Sequence, residues 1–327
     1  MQPSFMQTFN VNLDLALEAR DLVRGQTGQE IPGVLVNKED HPDATVTVVK
    51  IVEPAAAQIM KKPMGTYITI EAPGIRYPNR QVHRTMAQLL SQQLISLFSL
   101  PDHANVLLVG LGNWNATPDA LGPKVINMSL VTRHLYRYTP QEISPGMRSV
   151  SALAPGVLGI TGIETAEIIH GVVEKIKPEL IIAVDALAAR NVERIGTTIQ
   201  LADTGISPGS GIGNQRAGIN RESLGVPVIA VGVPTVVNAA VIASDAIEQL
   251  MQQLQTSPEL YRAFRTLPPD FTDKLVAEVL KPFGGELTVT PKEIDTLIRN
   301  AATVVAGGIS MALHPSIDPG EFGLYLQ

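Results

Sequence analysis

The stretch VGLGNWNATPDALGP, residues 109–123, decides the fold, because a Gly-rich turn follows an apolar strand and leads directly to an acid, Asp119. A second stretch, KPELIIAVDALAAR at residues 177–190, has the same form, with an aliphatic strand at 180–184 leading into Asp185. In open α/β sheets, sites form at the carboxyl ends of the strands. We therefore expect both acids in one cleft.

The pattern around these strands predicts an α/β fold with a sheet covered on both faces. Apolar alternation predicts a hairpin or edge pair of strands, and aliphatic runs separated by helical patterns predict a mainly parallel sheet. The predicted strands are 45–52, 67–71, 106–111, 180–184, 197–201 and 228–233, and the predicted helices are 86–100, 163–177, one starting near Thr235 and one capped by Thr290. We expect a three-layer α/β/α fold of the phosphorylase/hydrolase-like type with a twisted sheet, a peripheral β-hairpin and C-terminal helices.

Composition excludes several classes of function. The chain has 327 residues, 45% of them hydrophobic, and a net charge of -6 without a long basic cluster, so direct nucleic-acid binding is not expected. It has no cysteine, which excludes thiol nucleophiles and Cys-based metal sites and fits an intracellular protein. The charged fraction of 17% is low and favours oligomerisation.

No part of the sequence predicts a membrane or secretory segment. The N-terminus lacks a basic region followed by an apolar one, and the longest apolar stretch, residues 226–243, is interrupted by Pro and Gly. We therefore expect no membrane partner. Because the sequence shows no internal repeat and residues 73–79 fit a surface turn rather than a linker, we also expect a single domain.

Asp119 and Asp185 are the candidate catalytic residues. Each also has an ordinary structural interpretation: Asp119 fits the first turn of a helix that Thr117 caps, and Asp185 fits a carboxylate hydrogen-bonded at a strand end. Two carboxylates held close together share one proton, so that the charged one can activate water and the protonated one can polarise a carbonyl. That chemistry hydrolyses a peptide bond without a nucleophilic side chain. A metal bridging the acids is the alternative, although the histidines lack zinc-ligand spacing.

Other residues are expected to shape the site. Gly110, Gly112 and Asn113 form the turn beside the first acid, and Thr161 with Glu164 matches a helix capping box. The Gly-rich loop at residues 207–214 contains Gly211 and Gly213, whose backbone amides could bind an anion or a substrate carbonyl, although the loop also fits a flexible surface segment.

Several long strings resemble, in order and spacing, those of the spore germination protease family, which is similar in core fold to hydrogenase maturation proteases. The strings are GLGNWNATPDALGP (110–123), LVTRHLY (130–136), APGVLGITGIETAEII (154–169), AVDALAAR (183–190), DTGISPGSGIGN (203–214) and GVPVIAVGVPTVV (225–237). Two departures are a segment, 249–281, that is shorter than in typical members, and Asn238 where relatives can carry Asp.

The resemblance implies an endopeptidase that degrades small acid-soluble spore proteins during germination, in the cytoplasm of the forespore or spore core. The family's two essential acids map onto Asp119 and Asp185, and no cofactor is implied. Members are homotetrameric precursors that remove their own N-terminal segment. The string LDLALEA at residues 13–19 resembles the processing site, which predicts cleavage between Asp14 and Leu15, a propeptide at 1–14 and one peptidase domain at 15–327. The alternatives are a metal-dependent peptidase using the same acids and a non-catalytic peptide- or anion-binding protein.

Overall fold

A single mixed sheet organises the part of the chain that the structure describes. This computed structural model describes residues 5–6, 9, 11, 13–143, 145–207, 217–254, 268, 271–284 and 287–316. The strands are β1 Val34–His41, β2 Ala44–Ile51, β3 Gly65–Glu71, β4 Asn105–Gly110, β5 Ser149–Leu153, β6 Leu180–Ala189, β7 Thr198–Ala202, β8 Val228–Asn238 and β9 Thr288–Val289. Their order is β1-β2-β3-β7-β8-β6-β4-β5, with β9 paired to β8. The strands β8, β6, β4 and β5 are parallel neighbours, and the other pairs are antiparallel.

Helices cover both faces of this sheet. They are α1 Ala16–Thr27, α2 Pro54–Met60, α3 Arg80–Ile95, α4 Leu121–Met128, α5 Arg133–Tyr138, α6 Leu158–Thr161, α7 Thr165–Ile176, α8 Arg221–Leu224, α9 Ala239–Leu254, α10 Phe271–Leu280 and α11 Ile294–Leu313. Because strand side chains alternate between faces, Leu108 of β4 packs in the core with α3, α4 and α11, whereas Val109 packs with α7. On the antiparallel half of the sheet, α1 and α2 pack over β2 and β3. The prediction of an α/β fold with helices on both faces is confirmed.

The predicted pair of strands at 45–52 and 67–71 forms, as β2 and β3, but it does not lie at the edge of the sheet. Strand β1 pairs outside β2, so the peripheral unit has three strands rather than being a simple hairpin. The sequence analysis also missed β5 at the opposite edge. Residues 35–41 of β1 are exposed, and most of them are polar. The strand therefore lacks the apolar alternation from which a half-buried strand is predicted.

Two interior strands are longer than predicted. Strand β6 continues past Asp185 to Ala189, and β8 continues to Asn238, where a helix starting near Thr235 was expected. The two strands stay paired, with Leu187 opposite Pro234 and Ala189 opposite Val237. The Ala residues of β6 and Pro234 of β8 favour the end of a strand locally, but the pairing of the two strands with each other keeps both extended. The prediction that Asp185 lies at the end of its own strand is therefore wrong.

Two predicted helix starts are also wrong. Helix α6 ends at Thr161 because Gly162 adopts the left-handed conformation, and α7 begins at Thr165 with Glu164 as an N-cap that makes no side-chain capping bond. The Thr161 hydroxyl instead bonds locally, donating to the carbonyl of Ile163 (3.0 Å). Thr290 donates to the carbonyl of Thr235 (2.8 Å), and α11 begins only at Ile294.

Helix α11 is the central helix of one layer rather than a peripheral one. Almost all of its residues are buried, and it packs against α3 and α4. Arg148 closes its end by donating to the carbonyls of Ala312 (3.3 Å) and Leu313 (3.0 Å), which have no partner within the helix. Of the helices that the structure describes, α11 alone is long and apolar enough to cross a membrane, and 78% of that apolar window is buried inside the protein.

Candidate active site

The Gly-rich turn after β4 brings the backbone close to its neighbours. The amide of Leu111 donates to the carbonyl of Val184 in β6 (2.8 Å), so the turn starts as a continuation of the sheet. At Gly110, a Cβ would overlap the carbonyl of Gly122 in α4. Gly112 has a φ of +113°, and a Cβ there would overlap the main-chain oxygen of Asp119. Only glycine allows this turn to lie against the acid.

Asp119 closes the turn that precedes it. It ends a short 3-10 turn, Thr117–Asp119, whose N-cap is Ala116, so the prediction that Thr117 caps this turn is wrong. The amide of Asn113 donates both to the carboxylate of Asp119 (2.8 Å) and to its main-chain oxygen (3.0 Å). The acid is half-buried, and these bonds hold its side chain over the Gly-rich turn.

Asp185 lies in the middle of β6 but next to the end of β4. Gly110, the last residue of β4, pairs with Val184, so Asp185 is the first residue of β6 beyond the shorter neighbour. It is only 6% exposed, and its carboxylate accepts from the amide of Ala186 (2.9 Å). Asp119 and Asp185 line one cavity of about 850 Å³. The structure thus brings the two predicted acids to one cleft. It does so because β4 ends before Asp185 while β6 continues, and not because both acids lie at the ends of their own strands.

The other predicted site residues are distributed unevenly. Gly112 lines the cavity, Gly110 ends β4 just before it, and Asn113 follows in the turn. Thr161 and Glu164 are not among the cavity-lining residues, which include their neighbours Gly156, Val157 and Thr165 instead. Gly211 and Gly213 lie outside the described residues.

The predicted processing site lies in the same cavity. Asp14 lines it, and Leu15, which precedes α1, is fully buried. The main-chain oxygen of Asp14 accepts from the Lys62 ammonium (2.9 Å) and from the Gln200 side-chain amide (3.1 Å). These bonds hold the carbonyl of the Asp14–Leu15 peptide in a fixed orientation.

The two acids of residues 13–19 are held by β6 and by the turn that follows it. The carboxylate of Asp14 accepts from the amide of Ala188 (2.9 Å). The carboxylate of Glu18 accepts from the amides of Arg190 (2.9 Å) and Asn191 (3.3 Å) and lies 3.5 Å from the guanidinium of Arg194.

Burial alters the charge balance of two groups beside the segment. Desolvation raises the pKa of Glu18 above its ordinary value of 4.5, although the amide bonds and the nearby arginines act in the opposite direction. Desolvation lowers the pKa of Lys62 from 10.5, and the negative charges of Asp14 and Glu18 partly offset that effect.

Sequence analysis missed Lys62, Gln200 and Arg194 as site residues. They lie on a loop, a strand and a turn far apart in the chain, and no local motif surrounds them. The sequence offered one signal for them, the processing string at residues 13–19. Its two acids, if buried, require hydrogen-bond donors or positive charges from elsewhere in the chain. Among the described residues, no group of three or more His, Asp or Glu side chains is arranged to hold a metal ion.

Comparison with known proteins gives the family. The germination protease family model matches residues 14–272 and 259–326. The germination protease of Caldanaerobacter subterraneus subsp. tengcongensis is 50% identical over 97% of this chain and 98% of its own length. Those of Clostridium tetani and Priestia megaterium are 44% and 41% identical, over 97% and 98% of this chain and 100% and 98% of their own lengths.

The chain therefore belongs to the germination protease family, which makes it a protease of spore germination. The Priestia megaterium alignment covers 363 positions, more than the 327 residues of this chain, so that relative carries insertions with respect to it.

Proposed function

We propose that this protein is an endopeptidase precursor that cleaves itself between Asp14 and Leu15 and then degrades small acid-soluble spore proteins, with Asp119 and Asp185 activating water. One observation carries the proposal: the carbonyl of Asp14 is hydrogen-bonded on the wall of the cavity that both acids line. A peptide carbonyl fixed on the wall of a cavity that two carboxylates also line is what a substrate of these acids requires.

The chemistry follows from two acids that share a proton. The ionised carboxylate removes a proton from water, and the resulting hydroxide attacks the carbonyl carbon of Asp14. Negative charge develops on the carbonyl oxygen, where the Lys62 ammonium and the Gln200 amide donate hydrogen bonds. The protonated carboxyl then supplies the proton that the departing amine of Leu15 requires. One of Asp119 and Asp185 is the ionised base, and the other is the protonated acid.

The test is self-trimming of the full-length chain. Purified wild type, Asp119→Asn and Asp185→Asn are incubated at mildly acidic pH, and intact mass with N-terminal sequencing follows the product. We expect wild type to become a chain beginning at Leu15 and both variants to remain uncut, because an amide can neither take up the proton from water nor supply one to the leaving amine. Normal trimming of either folded variant would refute the assignment of that acid.

The same incubation separates the proposal from its rivals. Trimming of wild type that a chelator abolishes and added metal restores would favour a metal-dependent peptidase using the same acids. An uncut wild-type chain at every pH would favour a non-catalytic peptide- or anion-binding protein.

We also propose a homotetramer in the cytoplasm of the forespore or spore core. The low charged fraction of 17% and the exposed apolar side chains Leu35, Tyr77 and Tyr138 support self-association. Light scattering of the purified precursor tests it, and a monomeric mass would contradict it.

A further inference from the structure

The side chain of Gln200 contacts the main chain on both sides of the Asp14–Leu15 bond. Its Nε2 donates to the main-chain oxygen of Asp14 (3.1 Å), and its Oε1 accepts from the amide of Ala16 (2.6 Å). One planar amide therefore spans the bond that the proposed reaction cleaves. The side chain is also only 8% exposed, so water does not compete freely for these bonds.

The sheet places Gln200 in a row with Asp185. In the strand register, Asp185 of β6 pairs with Gly232 of β8, and Gly232 pairs with Gln200 of β7. Paired residues on neighbouring strands present their side chains to the same face, and neighbouring strands lie about 4.8 Å apart. The acid and the amide thus flank a glycine, about 10 Å apart at their backbones. All three residues line the cavity.

Gly232 keeps this row open between the two functional side chains. It contributes no side chain of its own, and a Cβ at that position would collide with the side chain of Leu187. The floor between Asp185 and Gln200 is therefore backbone with Leu187 beside it, and the peptide of Asp14 and Leu15 lies along the same cavity.

We propose that Gln200 is a further catalytic residue, which donates to the oxygen of the scissile carbonyl and, through its acceptor oxygen, holds the amide two residues further along the peptide. The inference rests on the proposed function, because it takes the Asp14–Leu15 bond as the one that is cleaved. The donor acts on charge that grows during the attack of water, and the acceptor fixes the position of the peptide relative to Asp185.

The two halves of this role predict different effects in two variants. Gln200→Glu keeps an acceptor for the amide of Ala16 but replaces the donor to the Asp14 oxygen by a second acceptor. Gln200→Met keeps the approximate size and loses both bonds. Because removing one oxyanion donor typically slows catalysis by about 100-fold or more, we expect at least that loss in the trimming rate of Gln200→Glu. The Gln200→Met variant should be slowed at least as much.

A matched control comes from the next strand in the same row. Thr69 of β3 pairs with Gln200, is fully buried, and its hydroxyl makes no hydrogen bond in the structure. Thr69→Val therefore changes a buried polar side chain beside Gln200 without removing a hydrogen bond to the scissile peptide. We expect it to trim at the wild-type rate.

The experiment measures trimming and docking in the same full-length chains. Intact mass gives the rate of appearance of the chain that begins at Leu15, and hydrogen exchange of a fragment covering residues 13–20 reports whether the segment stays docked. We expect Gln200→Glu to keep the exchange protection of this fragment while it loses about 100-fold in trimming rate. Slow trimming with retained protection would show that Gln200 acts on the scissile carbonyl and does not merely hold the segment in place.

Each other result has a defined meaning. If wild type trims to Leu15 and Gln200→Glu trims equally fast, the inference about Gln200 is wrong and the proposed function stands. If the slow trimming of both Gln200 variants is accompanied by complete loss of protection, the residue only docks the segment, and the catalytic role is rejected. If wild type itself never cuts at Asp14–Leu15, the proposed function fails and the inference fails with it.

Discussion

The two acids are held by different kinds of contact. Asp119 depends on a turn in which Asn113 donates to both its carboxylate and its main-chain oxygen. Asp185 is instead fixed by its pairing with Gly232 of β8 and by the pairing of the preceding residue, Val184, with β4. The position of Asp119 is therefore sensitive to single residues of the turn. That of Asp185 depends on the whole sheet.

Gly112 gives a test of that sensitivity. Gly112→Ala should lower the free energy of unfolding by about 3 kcal/mol, because its φ of +113° strains any other residue and a Cβ would overlap Asp119. Denaturant unfolding measures the change. Gly225→Ala is the matched control, since Gly225 also has a positive φ, +68°, but no atom within 4 Å of an added Cβ, and about 1 kcal/mol is expected there. Equal losses in the two variants would show that the contact with Asp119 is unimportant.

At the scale of elements, the first turn of α1 is bound through Glu18 to the turn that follows β6. The amides of Arg190 and Asn191 and the guanidinium of Arg194 all present donors or positive charge to its carboxylate. Burial nevertheless raises the pKa of Glu18, so the folded protein binds this proton at a higher pH than the unfolded chain does.

This raised pKa predicts the direction of a pH effect. A group with a raised pKa contributes stability that is fully present below its ordinary value, 4.5, and is lost as the pH rises through the folded-state pKa. Between pH 7 and pH 4.5, wild type should therefore gain stability relative to Glu18→Gln, which does not titrate. Denaturant unfolding of the two proteins, made cleavage-inactive by Asp185→Asn, measures the difference across that range. Parallel stability curves would contradict the prediction.

At the scale of the whole molecule, the N-terminal segment is part of the main core. Phe5, Phe9 and Val11 are buried in the cluster that also contains α3 and α11, and the two rings lie 4.6 Å apart. Cleavage at Asp14–Leu15 would also create a charged amino group at Leu15, which is fully buried. Because an unpaired buried charge is costly, the cut end of the chain should leave its position.

Trimming should therefore destabilise the protein. Loss of the segment exposes the surroundings of Phe5 and Phe9, and at about 2 kcal/mol for each buried ring the free energy of unfolding should fall by about 4 kcal/mol. Unfolding midpoints and binding of an apolar dye, measured before and after trimming, test this outcome. The control is the same incubation with Asp185→Asn, which should remain whole and unchanged. An unchanged midpoint in trimmed protein that has lost the peptide would show that the segment contributes nothing to the core.

The sequence by itself determined the local features of this protein: the α/β class, most of the central strands, the two acids as candidates and the string around Asp14. These depend on short-range signals, namely aliphatic runs, Gly-rich turns and motifs that a linear chain carries. Strand β1 and the extension of β6 past Asp185 were missed, because pairing with neighbouring strands stabilised them against a weak local pattern.

Only the tertiary structure decided which distant residues meet. Lys62, Gln200 and Arg194 reach the segment around Asp14 because sheet order places β3 beside β7, β7 beside β8 and β8 beside β6, an arrangement with no local signature. The burial that shifts the pKa of Glu18 and Lys62 is likewise a property of the packed molecule. Residue types set the available chemistry, and the long-range pairing of strands determined where in the molecule those residues come together.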